Sequence, residues 1–146
     1  MLRFDVLLLV LSASIFAAAQ TVDGPRPFVV QLPSQWQEAK LRLAIEGVRI
    51  PGNVPLKLRV TAIGEDEKEV SLGSVGIEAI GPGKTAMRSL RTLRIDVTRT
   101  LKRFLAHESN PTKVDLRIQA VDARNNPIRD LKWSVEGVRL EIQPAD

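Results

Sequence analysis

The sequence predicts a mostly-β fold, an antiparallel β-sandwich of about six to eight strands with one short crossing helix. Three observations carry that expectation. Leu41–Ile45, Leu56–Val60, Val114–Ile118 and Val138–Ile142 each set apolar residues at every second position with mostly charged residues between, the period of a strand with one buried and one wet face. Turn-forming residues separate these runs. A single segment, Asp96 to Pro111, has helical spacing instead.

The first element is not part of the fold. Residues 1–19 carry a cation at Arg3, an apolar run from Val6 to Val10 that resumes at Ile15 and Phe16, and small residues Ala17–Ala19 before Gln20. This is the pattern of a secretory signal peptide cut after Ala19. A membrane anchor is the weaker reading, because Ser12 and Ser14 break the run short of the roughly twenty residues a span needs. No transmembrane anchor is expected after cleavage, and the chain is expected to be exported, to periplasm or medium. Residues 20–37 form a Pro-rich segment in which Pro25, Pro27 and Pro33 exclude a helix and leave room for one strand, Phe28 to Leu32.

Residues 38–146 then read as the sandwich domain. After the Leu41–Ile45 strand, "IPGNVP" (Ile50–Pro55) turns the chain into Leu56–Val60, and "GEDEKE" (Gly64–Glu69) turns it into a strand over Ser71–Ile80. "GPGK" (Gly81–Lys84) precedes another strand over Leu90–Val97. Val97, Leu101, Phe104 and Leu105 then fall at i, i+4, i+7 and i+8, with Asp96 as N-cap and Pro111 closing the exit, which predicts a helix of two to three turns laid on the core. "RNNP" (Arg124–Pro127) separates the last two alternating runs. "IEGVRIPG" (Ile45–Gly52) is nearly copied in "VEGVRLEI" (Val135–Ile142), and the sequence reads these as two strands of one sheet rather than an internal repeat, since "PLKLRV" has no second copy.

Composition removes most chemistry. The chain has 146 residues, no cysteine, no tyrosine, one histidine (His107) and a net charge of +4, so stability rests on packing and backbone pairing rather than disulfides. Zinc or copper sites need several His or Cys ligands. His107 reads as a surface residue at a helix end, no nucleophile elbow surrounds any serine, and "GPGK" lacks the spacing of a phosphate loop. The cluster Glu65, Asp66, Glu67 and Glu69 is interrupted by Lys68 and reads as a solvated hairpin loop rather than a calcium loop. No catalytic residue, metal or cofactor is expected.

Lys84, Arg88, Arg91, Arg94, Arg99, Lys102 and Arg103 crowd one region with Asp96 as its sole acid. A solvated face is the plainest reading. An interaction surface built on Arg88, Arg91, Arg99, Lys102 and Arg103 for an acidic protein or polymer comes next, and nucleic acid last, because stacking aromatics are missing. Trp36 and Trp133 are the two large stacking side chains, and exposure of both on one face would favour a cell-surface sandwich that binds a polysaccharide. Trp133 in the core is the more economical placement.

Taken in order, "IEGVRIPGNVPLKLRV", "SLGSVGIEAIG", "LRTLRIDVTRTLKRFLA", "KVDLRIQAVD" and "VEGVRLEI" resemble the β-rich C-terminal domain that follows the dicopper domain in plant polyphenol oxidases and bacterial tyrosinase-like proteins. The resemblance covers Leu41 to Ile142. The strand motif that names the plant KFDV domain matches Lys57-Leu58-Arg59-Val60, with Leu for Phe and Arg for Asp. The resemblance implies a non-catalytic module that packs on a copper domain and covers its entrance. The six copper-binding histidines of that domain have no counterpart here, and no residue matches a plug for the entrance. The partner implied is a separately encoded tyrosinase-like copper protein, met by a sheet face or edge of apolar content with the helix cations as its rim.

Overall fold

The structure, a computed structural model, describes residues 25–81, 83, 86–109 and 111–143. The expected signal peptide and Lys84 lie outside the described residues. Among these described residues, nine strands, one helix and a 3₁₀ turn follow in order: β1 Arg26–Gln31, the 3₁₀ turn Trp36–Glu38, β2 Lys40–Glu46, β3 Arg49–Pro51, β4 Leu56–Ile63, β5 Glu69–Ile77, β6 Met87–Ser89, β7 Leu93–Asp96, α1 Thr98–Leu105, β8 Lys113–Val121 and β9 Gly137–Gln143. All pairings are antiparallel. One sheet has the order β1-β8-β4-β5, a second β7-β2-β9, and β3 and β6 form a two-stranded ribbon.

The alternation read from the sequence decides which side chains meet. Leu41, Leu43 and Ile45 from β2, Leu56, Leu58, Val60 and Ala62 from β4, and Val114, Leu116, Ile118 and Ala120 from β8 are buried in one core. A fully buried Leu or Ile contributes about 2 kcal/mol of apolar transfer, so these three strands dominate the core. Trp133, only 1% exposed, fills the space before β9, and the guanidinium of Arg26 lies 4.4 Å from its ring centroid while Nη2 donates to the Trp133 carbonyl at 2.8 Å. Arg26 thereby ties the first strand to the segment that leads into the last.

The two similar segments face each other. Ile45 pairs with Val138 and Glu46 with Gly137 across β2 and β9. Beyond that ladder the Glu136 N–H donates to the Glu46 carbonyl at 2.9 Å, and Arg49 and Ser134 exchange both backbone hydrogen bonds. The glycines are not equivalent. Gly47 has φ +65°, and a Cβ there would lie 2.3 Å from Glu136 Cγ; around Gly137 a Cβ would meet nothing within 4 Å.

Of the run Leu90–Val97 expected to form one strand, only Leu93–Asp96 does so, as β7, and Met87–Ser89 just before it forms the unexpected β6. β6 pairs with β3 and β7 with β2, so the chain must leave the ribbon between them; the Leu90 N–H still reaches the Val48 carbonyl at 2.9 Å. β5 starts at Glu69 and stops at Ile77, short of Ile80, and β1 begins two residues earlier than Phe28. A bulge interrupts β5 opposite Val60 and Thr61, which pair with Gly73 and Ser71 and leave Leu72 without a partner in the register. The carbonyl of Leu72 is taken by the Thr100 hydroxyl at 2.9 Å, which anchors α1 on the bulge.

Asp96 does not occupy the N-cap position, which is Val97. Its Oδ1 instead accepts from the Thr98 N–H at 2.9 Å and lies 2.7 Å from the Thr98 hydroxyl. That hydroxyl accepts the Leu41 N–H at 2.9 Å, and the Val97 N–H donates to the Leu41 carbonyl at 3.0 Å. The helix start is therefore stitched to β2, and Val97, Leu101, Phe104 and Leu105 lie on the core as their spacing requires.

We predict that Gly47→Ala destabilises the fold by about 2–4 kcal/mol, from positive-φ strain plus displacement of Glu136, whereas Gly137→Ala changes stability by less than about 1 kcal/mol. Urea denaturation of the two variants beside the parent chain checks the asymmetry.

Candidate interaction surface

The basic run that stood out in the sequence is dispersed by the fold. Arg88 lies half-buried on β6, and its guanidinium donates to the Glu78 carbonyl. Arg94 lies on the outer face of the β7-β2-β9 sheet, with Nε 2.9 Å from Glu141 Oε1. Arg91 is exposed between β6 and β7. Arg99, Lys102 and Arg103 do share α1, with Lys102 half-buried and the other two exposed. Among the described residues the side chains of Arg91, Arg99, Lys102 and Arg103 have no hydrogen-bond or ion-pair partner. Of the five expected surface residues, the three on the helix are brought together. Arg88 has its guanidinium turned onto a backbone carbonyl, which removes it from a free cationic surface.

Both outer sheet faces carry ion-paired side chains, and the β1-β8-β4-β5 face also leaves Val29 exposed beside Ile63. On the β7-β2-β9 face, Ala44 of β2 stands between Arg94 and Arg139 in the register. Arg139 reaches Glu46 Oε2 at 2.7 Å and Glu141 Oε2 at 2.8 Å, Arg94 reaches Glu141, and Arg42 lies 3.7 Å from Glu141. Ala44 is fully buried beneath these side chains. The other sheet repeats the device: Arg117 of β8 and Glu69 of β5 join at 2.7 Å, and Thr61 of the strand between them is buried although it faces outward. Long charged side chains cover a small residue on the central strand with their methylene stems and hold their heads in pairs.

Glu141, where three of these arginines converge, titrates low. Arg94's hydrogen bond, joined by the charges of Arg94, Arg139 and Arg42, holds Glu141 below the usual carboxylate range and raises Arg94. Asp96 is lowered by the Thr98 backbone and hydroxyl donors, and Asp122 by the N–H groups of Asn126 and Arg124, which its Oδ1 accepts at 3.0 and 2.8 Å.

A shallow cleft of about 1130 Å³ lies beside Leu56, Ile77 and Asp122, and a second opens where α1 passes the β4–β5 hairpin. A cleft of about 600 Å³ is lined there by the hairpin residues Gly64, Glu65, Asp66, Lys68, Val70 and Ser71 and, on the helix side, by Thr100, Arg103, Phe104, His107 and Glu108. "GEDEKE" is a turn as expected: the Glu67 N–H returns to the Gly64 carbonyl at 2.8 Å, and Glu67 adopts φ +65°. His107 lies on the tight turn that continues α1, its N–H donating to the Phe104 carbonyl at 3.2 Å. Reading along the sequence did not bring Glu65 and Arg103 together, because nothing local signals that the hairpin tip reaches the helix; the Thr100 hydroxyl is the residue that does so. Among the described residues no three His, Cys, Asp or Glu side chains converge as metal ligands, and no helix is long and apolar enough to cross a membrane.

Trp133 is in the core, so the two tryptophans do not form an exposed pair; Trp36 is itself half-buried against the core. The feature that would have favoured polysaccharide stacking is therefore missing.

Comparison with known proteins agrees in fold. No family model matches the chain, and no curated protein matches it in sequence. Among solved structures the chain is similar to part of a latent apple tyrosinase, with a TM-score of 0.54 and 17% identity over 82% of this chain. It spans 26% of that protein's length.

The depressed carboxylates set a pH dependence. Their folded pKa values lie below the unfolded ones, so the stability they contribute is present above about pH 4 to 5 and is lost as pH falls through the folded values. Glu141→Gln is expected to unfold at lower urea than the parent chain at neutral pH, with the difference closing below about pH 3. Urea midpoints across that pH range test this, and 1 M salt should narrow the gap at neutral pH.

Proposed function

We propose that this chain is an exported, non-catalytic accessory domain of the tyrosinase C-terminal type, which docks on a separately encoded dicopper protein or shields its site. The observation that supports the reading is the extent of the structural likeness. It takes in four-fifths of this chain and about a quarter of a latent tyrosinase, as a detached domain would. The ordered motifs from Leu41 to Ile142 that resemble the KFDV-type domain fall on β2 through β9, and Lys57–Val60 lies on β4, which is paired on both sides. The leader over residues 1–19 supports export.

The docking surface in this reading is the helix end of the sandwich rather than a sheet face. The helix keeps Arg99, Lys102 and Arg103 together without partners among the described residues, whereas Arg42, Arg94, Arg117 and Arg139 on the sheet faces are ion-paired. Free cations beside an open cleft are available to an incoming surface, while paired ones must first be separated.

Two measurements test this reading. Expression with its own leader in a secreting host should release a chain whose N-terminal residue is Gln20; retention of residues 1–19 in the membrane fraction would remove the export element. Immobilised protein should capture a histidine-rich copper-domain protein from the envelope fraction of its own organism, identified by mass spectrometry. Capture of glycans alone, or of nothing beside a working control, would leave the likeness as one of fold.

A further inference from the structure

A sheet edge exposes unpaired N–H and C=O groups, and folded chains blunt such edges with prolines, bulges, short strands or a covering element. Among the described residues every strand edge of this fold but one carries such a device. β1 holds Pro27, which has no N–H to offer. β5 is interrupted by its bulge, and the Thr100 hydroxyl of α1 takes its Leu72 carbonyl. β7 is four residues long and runs straight into α1, and the ribbon strands β3 and β6 have three residues each. β9 is the exception. Its seven residues, Gly137–Gln143, contain no proline and pair with β2 in one unbroken register. Among the described residues they make no backbone hydrogen bond outside that ladder.

The side chains of β9 match this open edge. Val138, Leu140 and Ile142 stand opposite Ile45, Leu43 and Leu41 of β2 and share their core-facing side. Val138 and Leu140 are only half-buried there, and Ile142 is 39% exposed, so the core runs out to the edge without being closed. Arg139 and Glu141 alternate with them on the outer side. The order is self-complementary, because in either direction from Leu140 the strand gives one charged and then one β-branched residue. Antiparallel pairing of two β9 strands centred on Leu140 sets Leu140 opposite Leu140, Val138 opposite Ile142 and Arg139 opposite Glu141. Centring the pair one residue either way sets Arg139 opposite Arg139, or Glu141 opposite Glu141, and is opposed by like charge.

We propose that the β9 edge is a self-association surface, on which a second copy of this chain pairs strand to strand in the register centred on Leu140. The inference goes beyond the docking reading and does not rest on it. The contact uses a sheet edge rather than a face: it joins two three-stranded sheets into one continuous sheet, pairs the free backbone groups of both edges, and covers the apolar side chains that β9 leaves half-open. Charge selects the register rather than driving the association. Glu141 comes to lie between Arg42 of its own chain and Arg139 of the second copy, and a carboxylate accepts from several donors, so no pair within a chain has to separate first. A second copy fits this edge better than an unrelated strand because a two-fold axis uses each complementary pair twice. One strand edge is a small interface, which places the expected dissociation constant at about 10–100 µM.

Sedimentation velocity of the purified chain, from about 1 µM to about 1 mM, is expected to show exchange between monomer and dimer within that range. Amide hydrogen exchange should show protection gained along Gly137–Gln143 as concentration rises. Arg139→Glu and Glu141→Arg should each weaken the dimer about tenfold, the scale of two reversed cross-strand pairs. An equal mixture of the two variants should recover it, since each strand then meets the opposite charges. Ile142→Lys leaves the ion pairs in place and puts a charge into the apolar seam, and it should remove the dimer over the same concentrations; it keeps the test open where a charge reversal disturbs the fold, which circular dichroism checks. A chain that stays monomeric throughout, a dimer indifferent to Ile142→Lys, folded charge variants whose mixture recovers nothing, or protection gained on another edge or on α1 would overturn the proposal.

Discussion

The pairing of β2 with β9 is the constraint on which the rest of this structure depends. It joins segments some ninety residues apart, places β2 at the middle of its sheet, and sets which faces of both strands meet the core. A shift of one residue would send Leu41, Leu43 and Ile45 to solvent and bring Arg42 and Glu46 inside. Gly47 ends that ladder with a positive φ, and Glu136 packs where its side chain would be. The Leu41 backbone then receives the start of α1 through Thr98, so the helix inherits its position from the same strand.

From that frame follows a division between inert and available surface. Each sheet has a small residue on a central strand, Ala44 or Thr61, beneath ion-paired side chains from its neighbours. Pairs of this kind add little stability individually, but they occupy the charges and the apolar stems that a partner would otherwise use. At the helix end the arrangement differs. Thr100 holds the helix to the β5 bulge, the hairpin tip projects beside it, and in the cleft between them Asp66 pairs with Lys68 while Arg103, Glu65 and Glu108 have no partner among the described residues. The bulge is thus what makes room for a site: it frees the Leu72 carbonyl that fixes the helix there.

Most of the strand inventory was legible because alternation is a local property. Leu41–Ile45, Leu56–Val60, Val114–Ile118 and Val138–Ile142 all lie within strands, and the buried stripe of the helix falls on the residues its spacing selects. Misreadings arose where a neighbour rather than the chain itself sets the outcome. Leu90–Val97 was shortened to Leu93–Asp96, the part that pairs with β2, because the residues just before it follow β6 out of the ribbon with β3, and Asp96 was drawn into a turn on Thr98 instead of the cap position. The site was legible only in part: the helix cations were visible as a group, but Arg88 and Arg94 belonged to other surroundings, and Glu65 gave no sign of lining a cleft with Arg103.

By itself the sequence determined the fold class, the strand periods, the amphipathic helix and the lack of a histidine or cysteine ligand set, since each follows from residue identity and near-neighbour spacing. Tertiary structure alone decided that the two Glu-Gly-Val segments pair, that Trp133 is enclosed with Arg26 upon it, and that one cleft retains unpaired charge. These depend on contacts between residues far apart in the chain, and whether a charge is free or engaged is a property of its neighbours in space.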